Sequence, residues 1–256
     1  MSEPGNVTRP AYRLYQLAWA GLDWLYPPYC GGCGARGSRW CSSCQQNTRM
    51  ILGPLCQRCG QPVSNTDETI CRDCKNRSFH LTALRSWALF SGPLQSAIHR
   101  LKYKGDLALG DILARPLIDL LQVNCWQVDL VIPVPVGVAR QAQRGYNQAA
   151  LLALPVALGL NLAYRPKAME KIRDTRSQVG LSFAERRENV KGAFRARAEQ
   201  VREKRVLLVD DVTTSGATLN ACAKALFDAG ANHVFGITLA RAGSYQQAIN
   251  PYSGGR

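Results

Sequence analysis

The sequence predicts a mostly parallel α/β domain preceded by a small zinc-binding region. Of the 10 cysteines, all but two fall in C-x-x-C pairs within residues 30–74. After residue 80 these pairs stop, and short apolar runs alternate with segments of helical periodicity. That alternation is typical of a parallel sheet covered by helices. With 46% hydrophobic and 20% charged residues, the chain has the composition of a globular protein rather than a disordered one.

The N-terminal arm, residues 1–28, is predicted to contain an amphipathic helix over residues 11–26, where leucines and tryptophans mix with charged residues. This is the most apolar part of the chain, but Asp23 interrupts it and two prolines follow it. A membrane span needs about 20 apolar residues, and a signal peptide needs a small-residue cleavage site. We therefore expect neither, and we expect the protein to be cytoplasmic.

The cysteine pairs predict two structural zinc ions. Two thiolates at this spacing form a tight knuckle that aims both sulfur atoms at one metal, and two knuckles complete a tetrahedral site. Disulfides are the alternative, but they suit small secreted domains, and nothing in the sequence points to secretion. The predicted zinc ligands are Cys30, Cys33, Cys41, Cys44, Cys56, Cys59, Cys71 and Cys74.

An internal repeat indicates which knuckles share a metal. Gly34 follows the first pair and Gly60 follows the third, and glycine allows a backbone turn with positive φ. The order C-x-x-C-G, then C-x-x-C, thus occurs twice, which favours sequential sites with the first two pairs on one zinc and the last two on the other. A cross-braced arrangement stays open. In either case, residues 29–79 form a double zinc ribbon whose folding depends on the metal.

Residues 80–245 are predicted to form the α/β domain, and residues 246–256 a disordered tail. Ligands of such sheets bind at the carboxyl ends of the strands. The apolar runs predict strands at 84–90, 129–136, 206–209 and 234–240. The periodic segments predict helices at 93–103, 106–121, 145–159, 182–191 and 217–229.

The strongest chemical signal is VLLVDDVTTSGATL at residues 206–219, where a predicted strand meets two carboxylates, a hydroxyl-rich loop and a helix start. A helix N-terminus and hydroxyl groups suit a phosphate. Carboxylates repel phosphate, but they suit ribose hydroxyls or Mg²⁺. Together these groups predict a site for a ribose that carries a 5′-phosphate. Its residues are Asp210, Asp211, Thr213, Thr214, Ser215, Gly216, Ala217 and Thr218.

This segment closely resembles the loop of type I phosphoribosyltransferases that binds phosphoribosyl pyrophosphate (PRPP). The wider chain resembles the ComF family in three segments and in the order of zinc ribbons before the transferase domain. The segments are LKYKGD at 101–106, RGYNQA at 144–149 and TRSQVGLSFAERRENVKGAF at 175–194. The resemblance implies a type I phosphoribosyltransferase fold, Rossmann-like with a mostly parallel sheet, and a link to DNA uptake or utilisation in competence.

The resemblance also implies roles for residues outside the loop. In type I enzymes the loop after the first core strand holds pyrophosphate, which makes Arg140 and Arg144 the expected anion contacts here. Lys102 is expected to meet the pyrophosphate or a nucleic-acid backbone. A mobile loop that closes over PRPP corresponds to the stretch with Arg173, Arg176 and Ser177.

Two classes of function follow. The first is a Mg²⁺-dependent phosphoribosyltransferase, a glycosyltransferase, with Asp210 and Asp211 as catalytic residues and an unknown acceptor. The second is a non-catalytic protein of the same fold that binds or processes single-stranded DNA together with other DNA-uptake or processing proteins. The net charge of +14 favours polyanionic partners. Phosphate contacts by Lys and Arg supply affinity that does not depend on base sequence.

Overall fold

Five parallel strands form the central sheet of this computed structural model, which describes residues 10–63, 69–76, 78–176, 180 and 182–243. The sheet order is β1-β7-β6-β2-β3, and β4 and β5 form a separate antiparallel pair. Each pairing within the large sheet is parallel, as predicted. The strands are β1 (Ala83–Leu89), β2 (Leu130–Pro133), β3 (Ala163–Tyr164), β4 (Met169–Lys171), β5 (Phe194–Ala196), β6 (Arg205–Thr213) and β7 (His233–Arg241).

Helices cover both faces of this sheet, and three short ones belong to the cysteine region or to connections. None of the described helices is long and apolar enough to cross a membrane. The helices are α1 (Pro10–Leu25), α2 (Ser42–Gln46), α3 (Arg72–Lys75), α4 (Gly92–Tyr103), α5 (Leu109–Val123), α6 (Val138–Arg144), α7 (Gln148–Leu160), α8 (Phe183–Val190), α9 (Ala198–Val201) and α10 (Ala217–Asp228).

Strand β6 is central, between β7 and β2, and its side chains alternate between two cores. Leu207 and Val209 pack with residues of α4, α5 and α7. Val206 and Leu208 pack with residues of α10 and of the β4–β5 pair. All four side chains are fully buried. The same alternation directs the two acidic residues that follow to opposite faces of the sheet.

The eight paired cysteines form two groups in sequential order, which agrees with the favoured pairing. In each group four sulfur atoms lie within 4.8 Å of one another, the first from the pairs at 30–33 and 41–44 and the second from the pairs at 56–59 and 71–74. Gly34 and Gly60 have the expected positive φ, of 79° and 68°. A cluster of four thiolates is the ligand set of a structural zinc site, so both groups fit zinc.

The cysteine region also covers one edge of the large sheet. The backbone N–H of Ile51 donates to the carbonyl of Trp87 at 3.0 Å, and the N–H of Leu89 donates to the carbonyl of Arg49 at 2.8 Å. These bonds occupy the open side of β1, which would otherwise be available to pair with another chain. The cysteine region is therefore packed against the α/β domain through backbone hydrogen bonds, not only connected to it by the chain.

Several predicted boundaries are wrong. The predicted strand 206–209 continues to Thr213 as β6, because β7 pairs with it as far as Thr213 opposite Arg241. The predicted helix 145–159 begins only at Gln148, because Gly145, with φ of 79°, ends the unpredicted helix α6 and the side chain of Asn147 caps α7. Helix α8 begins with a capping box, in which the side chain of Ser182 accepts from the N–H of Glu185 and the side chain of Glu185 accepts from the N–H of Ser182. The predicted tail, 246–256, lies outside the described residues.

Candidate functional site

A cavity of about 680 Å³ opens at the carboxyl ends of β2 and β6, and we call it the strand-end cavity. This is the edge of a parallel sheet at which a ligand is expected to bind. Four parts of the chain that are distant in sequence contribute its polar lining. The side chains of most chemical interest are Lys102, Arg140, Arg144, Lys171, Thr175, Arg186, Asp210, Asp211, Thr214 and Thr218.

The loop between β6 and α10 is built to present backbone N–H groups. Gly216 is the N-cap of α10 and has a left-handed backbone, with φ of 75°. Glycine has no side chain with which to cap the helix, so the positive end of α10 is left for an anion. The hydroxyl of Ser215 accepts a hydrogen bond from the N–H of Ala217 at 3.4 Å. Thr214 and Thr218 face the cavity, whereas Thr213 is buried at the end of β6.

The two aspartates have different surroundings because consecutive strand residues point to opposite faces. Asp211 points toward α4, where its Oδ2 lies 2.5 Å from Nζ of Lys102. The side chain of Asp211 is 3% exposed and that of Lys102 is 22% exposed, so this ion pair is largely shielded from water. Burial acts to lower the pKa of Lys102, but the charge of Asp211 outweighs it and raises that pKa.

Asp210 lies on the other side of the strand, where burial raises its pKa more than the positive charge of Lys102 lowers it. Burial, followed by the negative charge of Asp211, raises the pKa of Asp210 well above its usual value. Its Oδ1 accepts a hydrogen bond from the N–H of Asp211 at 2.9 Å. Asp210 is thus the carboxylate of the pair that gains most from a cation or from a hydroxyl donor in the cavity.

The segment after β2 forms a second wall of the strand-end cavity. Arg140 is exposed on α6, and Arg144, at the end of the same helix, lies with its guanidinium 4.9 Å from the centre of the Tyr103 ring. Nη1 of Arg144 also donates to Oε1 of Gln148 at 2.9 Å. A Cβ atom at Gly137 would overlap Oδ1 of Asp174, so this glycine allows residues 171–176 to lie against the wall.

Of the segment predicted to form the mobile loop, with Arg173, Arg176 and Ser177, the described part lies beside α8. Nη2 of Arg173 donates to the carbonyls of Asn189 and Lys191, at 3.0 and 2.7 Å, so this guanidinium holds the end of α8 and does not line the cavity. The backbone of Arg176 exchanges two hydrogen bonds with the side chain of Asn189. Ser177 lies outside the described residues.

Lys171, like Thr175 and Arg186, lines the cavity and was not predicted from the sequence. Its Nζ donates to the hydroxyl of Thr175 at 2.7 Å, and both residues line the cavity. Burial, followed by the positive charge of Arg140, lowers the pKa of Lys171. Only the short β4–β5 pair, which no periodicity predicts, directs this lysine inward, so the sequence held no signal for it beyond the local excess of basic residues.

The metal groups differ in exposure. In the first, Cys33 is exposed and Cys41 is half-buried, whereas all four cysteines of the second are buried. Burial opposes ionisation of Cys30, but backbone N–H groups, led by those of Cys33 and Cys41, bring the pKa of its thiol down to about 6. Similar bonds bring the pKa of Cys56 to about 7. Burial raises the pKa of the thiols of Cys44, Cys59 and Cys74 instead, and a bound zinc ion would stabilise their thiolates.

Comparison with known proteins agrees with both halves of this arrangement. Family models match a double zinc ribbon domain over residues 21–75 and a phosphoribosyl transferase domain over residues 127–253. Competence protein F of Haemophilus influenzae is 31% identical over 209 residues, which cover 79% of this chain and 90% of that protein. The DNA utilization protein YhgH of Escherichia coli K12 is 31% identical over 224 residues, which cover 84% of this chain and 94% of that protein.

One similar solved structure is described as "Structure of the allosteric regulatory enzyme of purine biosynthesis". The matched region covers 51% of this chain and 26% of that chain, with 24% sequence identity and a TM-score of 0.36. The relatives of known sequence are matched along nearly their whole length, and they span both the cysteine region and the sheet. The fold is therefore that of a type I phosphoribosyltransferase behind a double zinc ribbon, and the chain belongs to the ComF family, whose curated members carry names from competence and DNA utilization.

Proposed function

We propose that the strand-end cavity binds PRPP, or a closely related ribose phosphate, together with Mg²⁺. The observation that carries the proposal is the loop 213–218, where a glycine-capped helix start follows closely on the half-buried Asp210 and the buried Asp211. This module uses residues 80–245, and residues 29–79 form the ribbons beside it.

The cavity offers a place for each part of such a ligand. The 5′-phosphate lies against the N–H groups and hydroxyls of the loop 213–218, and the ribose hydroxyls lie beside Asp210. The pyrophosphate faces residues 134–140 and the cationic side chains of Arg140, Lys171 and Lys102. Asp210 is the carboxylate that would hold Mg²⁺, directly or through water, because Lys102 already balances Asp211.

In the enzymatic form of the proposal, an acceptor atom forms a bond to the anomeric carbon of PRPP. The bond from that carbon to the pyrophosphate oxygen breaks, and its electron pair leaves with pyrophosphate. Mg²⁺ bound with the pyrophosphate supplies charge neutralisation for the leaving group. Asp210 stabilises the positive charge that develops on the ribose. The acceptor loses its proton to solvent, since none of the described residues is placed as its general base.

Titration calorimetry of the zinc-loaded chain with PRPP and Mg²⁺ tests the proposal. We expect saturable binding that is lost in the double variant Asp210→Asn with Asp211→Asn. Asp228→Asn, the same chemical change at an exposed position on α10, is the matched control and should bind normally. Turnover additionally predicts pyrophosphate release from PRPP, with the same dependence on the acidic pair. Equal affinity in the double variant and the native chain would contradict the proposal.

Single-stranded DNA is the second candidate ligand, and a specific feature favours it. Residues 165–205 contain 13 basic and 6 acidic residues, about half of the net charge of the chain. The relatives named for competence and DNA utilization point in the same direction. Sequence-independent binding through Lys and Arg releases counterions, so affinity for a homopolymer should fall steeply as salt rises and should survive the double aspartate change. An affinity that does not change with salt would exclude this mode.

A further inference from the structure

A second pocket of about 320 Å³ lies between the second zinc ribbon and the loop 213–218, and we call it the ribbon pocket. Its walls come from the second cysteine group, the segment 78–79, the start of α10, helix α8 and the end of β7. Thr214 and Arg186 line both this pocket and the strand-end cavity, so the two spaces adjoin at the loop. We propose that the ribbon pocket binds a small ligand that carries a carboxylate or phosphate on a flat ring.

The donor groups of the pocket indicate the oxyanion. Arg241 is 3% exposed, lines the pocket and donates from Nη2 to the carbonyl of Cys59, while its Nε has no hydrogen-bond partner within the described part of the chain. Nε of Arg186 is likewise buried without a partner among the described residues. Buried guanidinium donors without partners are costly, and an oxyanion is the group that satisfies them best.

Charge is distributed unevenly over the walls, which orients the ligand. Arg186, Arg187 and the positive end of α10 lie on the side of the α/β domain. The ribbon side carries Asp73 and, once zinc is bound, the negative charge of the four thiolates, beside which Arg241 lies. The oxyanion should therefore bind within reach of Arg186, Arg241 and the loop, and an edge of the ring with N–H donors should face Asp73.

Apolar surface between these walls fits a ring. Phe79, Ala217 and Ala242 line the pocket together with the polar groups. The segment that carries Phe79 is held in place by Asn220 of α10, whose Oδ1 accepts from the N–H of His80 at 2.6 Å. The volume is close to the lower end of the range of about 300–1,000 Å³ that is typical of small-molecule sites.

The role of this ligand rests on the proposed function: it would lie beside the ribose-phosphate loop, where an acceptor or an effector of that site would bind.

The position of the second ribbon explains why such a pocket exists. Gly60 lies so close to the carbonyl of Leu84 that no larger residue would fit, and Arg85 donates to the carbonyls of Cys56 and Gln57 at 3.3 and 3.1 Å. These contacts fix the ribbon as a wall.

Benzoate and benzamide are suitable probes, because they share shape and differ in charge. Binding to the zinc-loaded full chain would be measured by calorimetry and by ligand-observed NMR, with and without PRPP and Mg²⁺. We expect benzoate to bind about tenfold more tightly than benzamide, as a charge-assisted Arg–carboxylate contact implies. Equal affinity for the two probes, or no binding of benzoate in either condition, would overturn the proposal.

Variants of two exposed arginines can distinguish binding in the ribbon pocket from binding in the strand-end cavity. Arg187 lines only the former and Arg140 only the latter. Arg187→Gln should weaken benzoate binding about fivefold and leave PRPP binding unchanged, and Arg140→Gln should do the reverse. Benzoate binding that is sensitive to Arg140→Gln or displaced by pyrophosphate would place the probe in the strand-end cavity and overturn the inference. Benzoate binding with this pattern in a chain that does not bind PRPP would refute only the proposed function.

Discussion

Nζ of Lys102 lies 2.5 Å from Oδ2 of Asp211, and this ion pair joins the end of α4 to the end of β6. Lys102 is therefore a structural partner of the acidic pair as well as a lining residue of the strand-end cavity. The ion pair makes the two aspartates different. The charge of Asp211 is neutralised by Lys102, whereas Asp210 faces the cavity and has a raised pKa.

Removing the lysine should destabilise the protein. Lys102→Gln leaves Asp211 buried without its counter-charge, which we expect to cost about 3 kcal/mol in the free energy of unfolding. Lys224→Gln is the control, because Lys224 pairs with Asp228 at an exposed position of α10, and such pairs contribute about 0.5 kcal/mol or less. Urea denaturation measures both. Equal losses in the two variants would show that the buried pair has no special weight.

The raised pKa of Asp210 predicts how stability depends on pH. Because the folded state favours the protonated form, the charged carboxylate costs stability above its folded pKa, and this cost disappears as pH falls toward the pKa of the unfolded chain. Asp210→Asn should therefore have a higher Tm than the native protein at pH 8, with the difference shrinking toward pH 4. Asp211→Asn should lower Tm at pH 8 instead, since it leaves Lys102 unpaired. A pH-independent difference for Asp210→Asn would contradict this account.

Two glycines in equivalent turns should respond differently to alanine. Both Gly34 and Gly60 have positive φ, so each change costs about 1 kcal/mol in backbone strain. A Cβ at Gly34 has no neighbour within 4 Å, whereas one at Gly60 would overlap the carbonyl oxygen of Leu84. Gly60→Ala should thus destabilise the protein clearly more than Gly34→Ala and should loosen the second ribbon from β1. Thermal unfolding of the two zinc-loaded variants gives the comparison, and similar melting temperatures would show that the ribbon is not docked as described.

Zinc should leave the two sites at different rates. The first site includes the exposed Cys33 and the second has four buried cysteines, so a chelator reaches the first more readily. A chromogenic chelator should show a fast and a slow phase, each of about one zinc per chain. Cys33→Ser should remove the fast phase and Cys56→Ser the slow one. A single phase in the native protein, or a zinc content near zero, would be inconsistent with two unequal sites.

Local spacing was enough to predict much of this protein. The knuckle formed by two cysteines separated by two residues is a local structure, so the two groups of four cysteines could be predicted from the sequence, and the repeat around Gly34 and Gly60 favoured the pairing that the structure has. The chemistry of the segment 210–218 was likewise predictable, because its acids, hydroxyls, glycine and helix start are close neighbours in the sequence and do not depend on distant contacts.

Tertiary structure decided what these segments meet. The extension of β6 depends on its pairing with β7, the contact of Lys102 with Asp211 depends on how α4 packs on the sheet, and the inward direction of Lys171 depends on the β4–β5 pair. Arg241 is the last residue of β7, and nothing in the sequence of that strand singles it out. Its contact with Cys59 depends on the position of the second ribbon. Each of these contacts joins residues far apart in the chain. Strand order and packing determine which of them meet, and the spacing of neighbouring residues does not predict either.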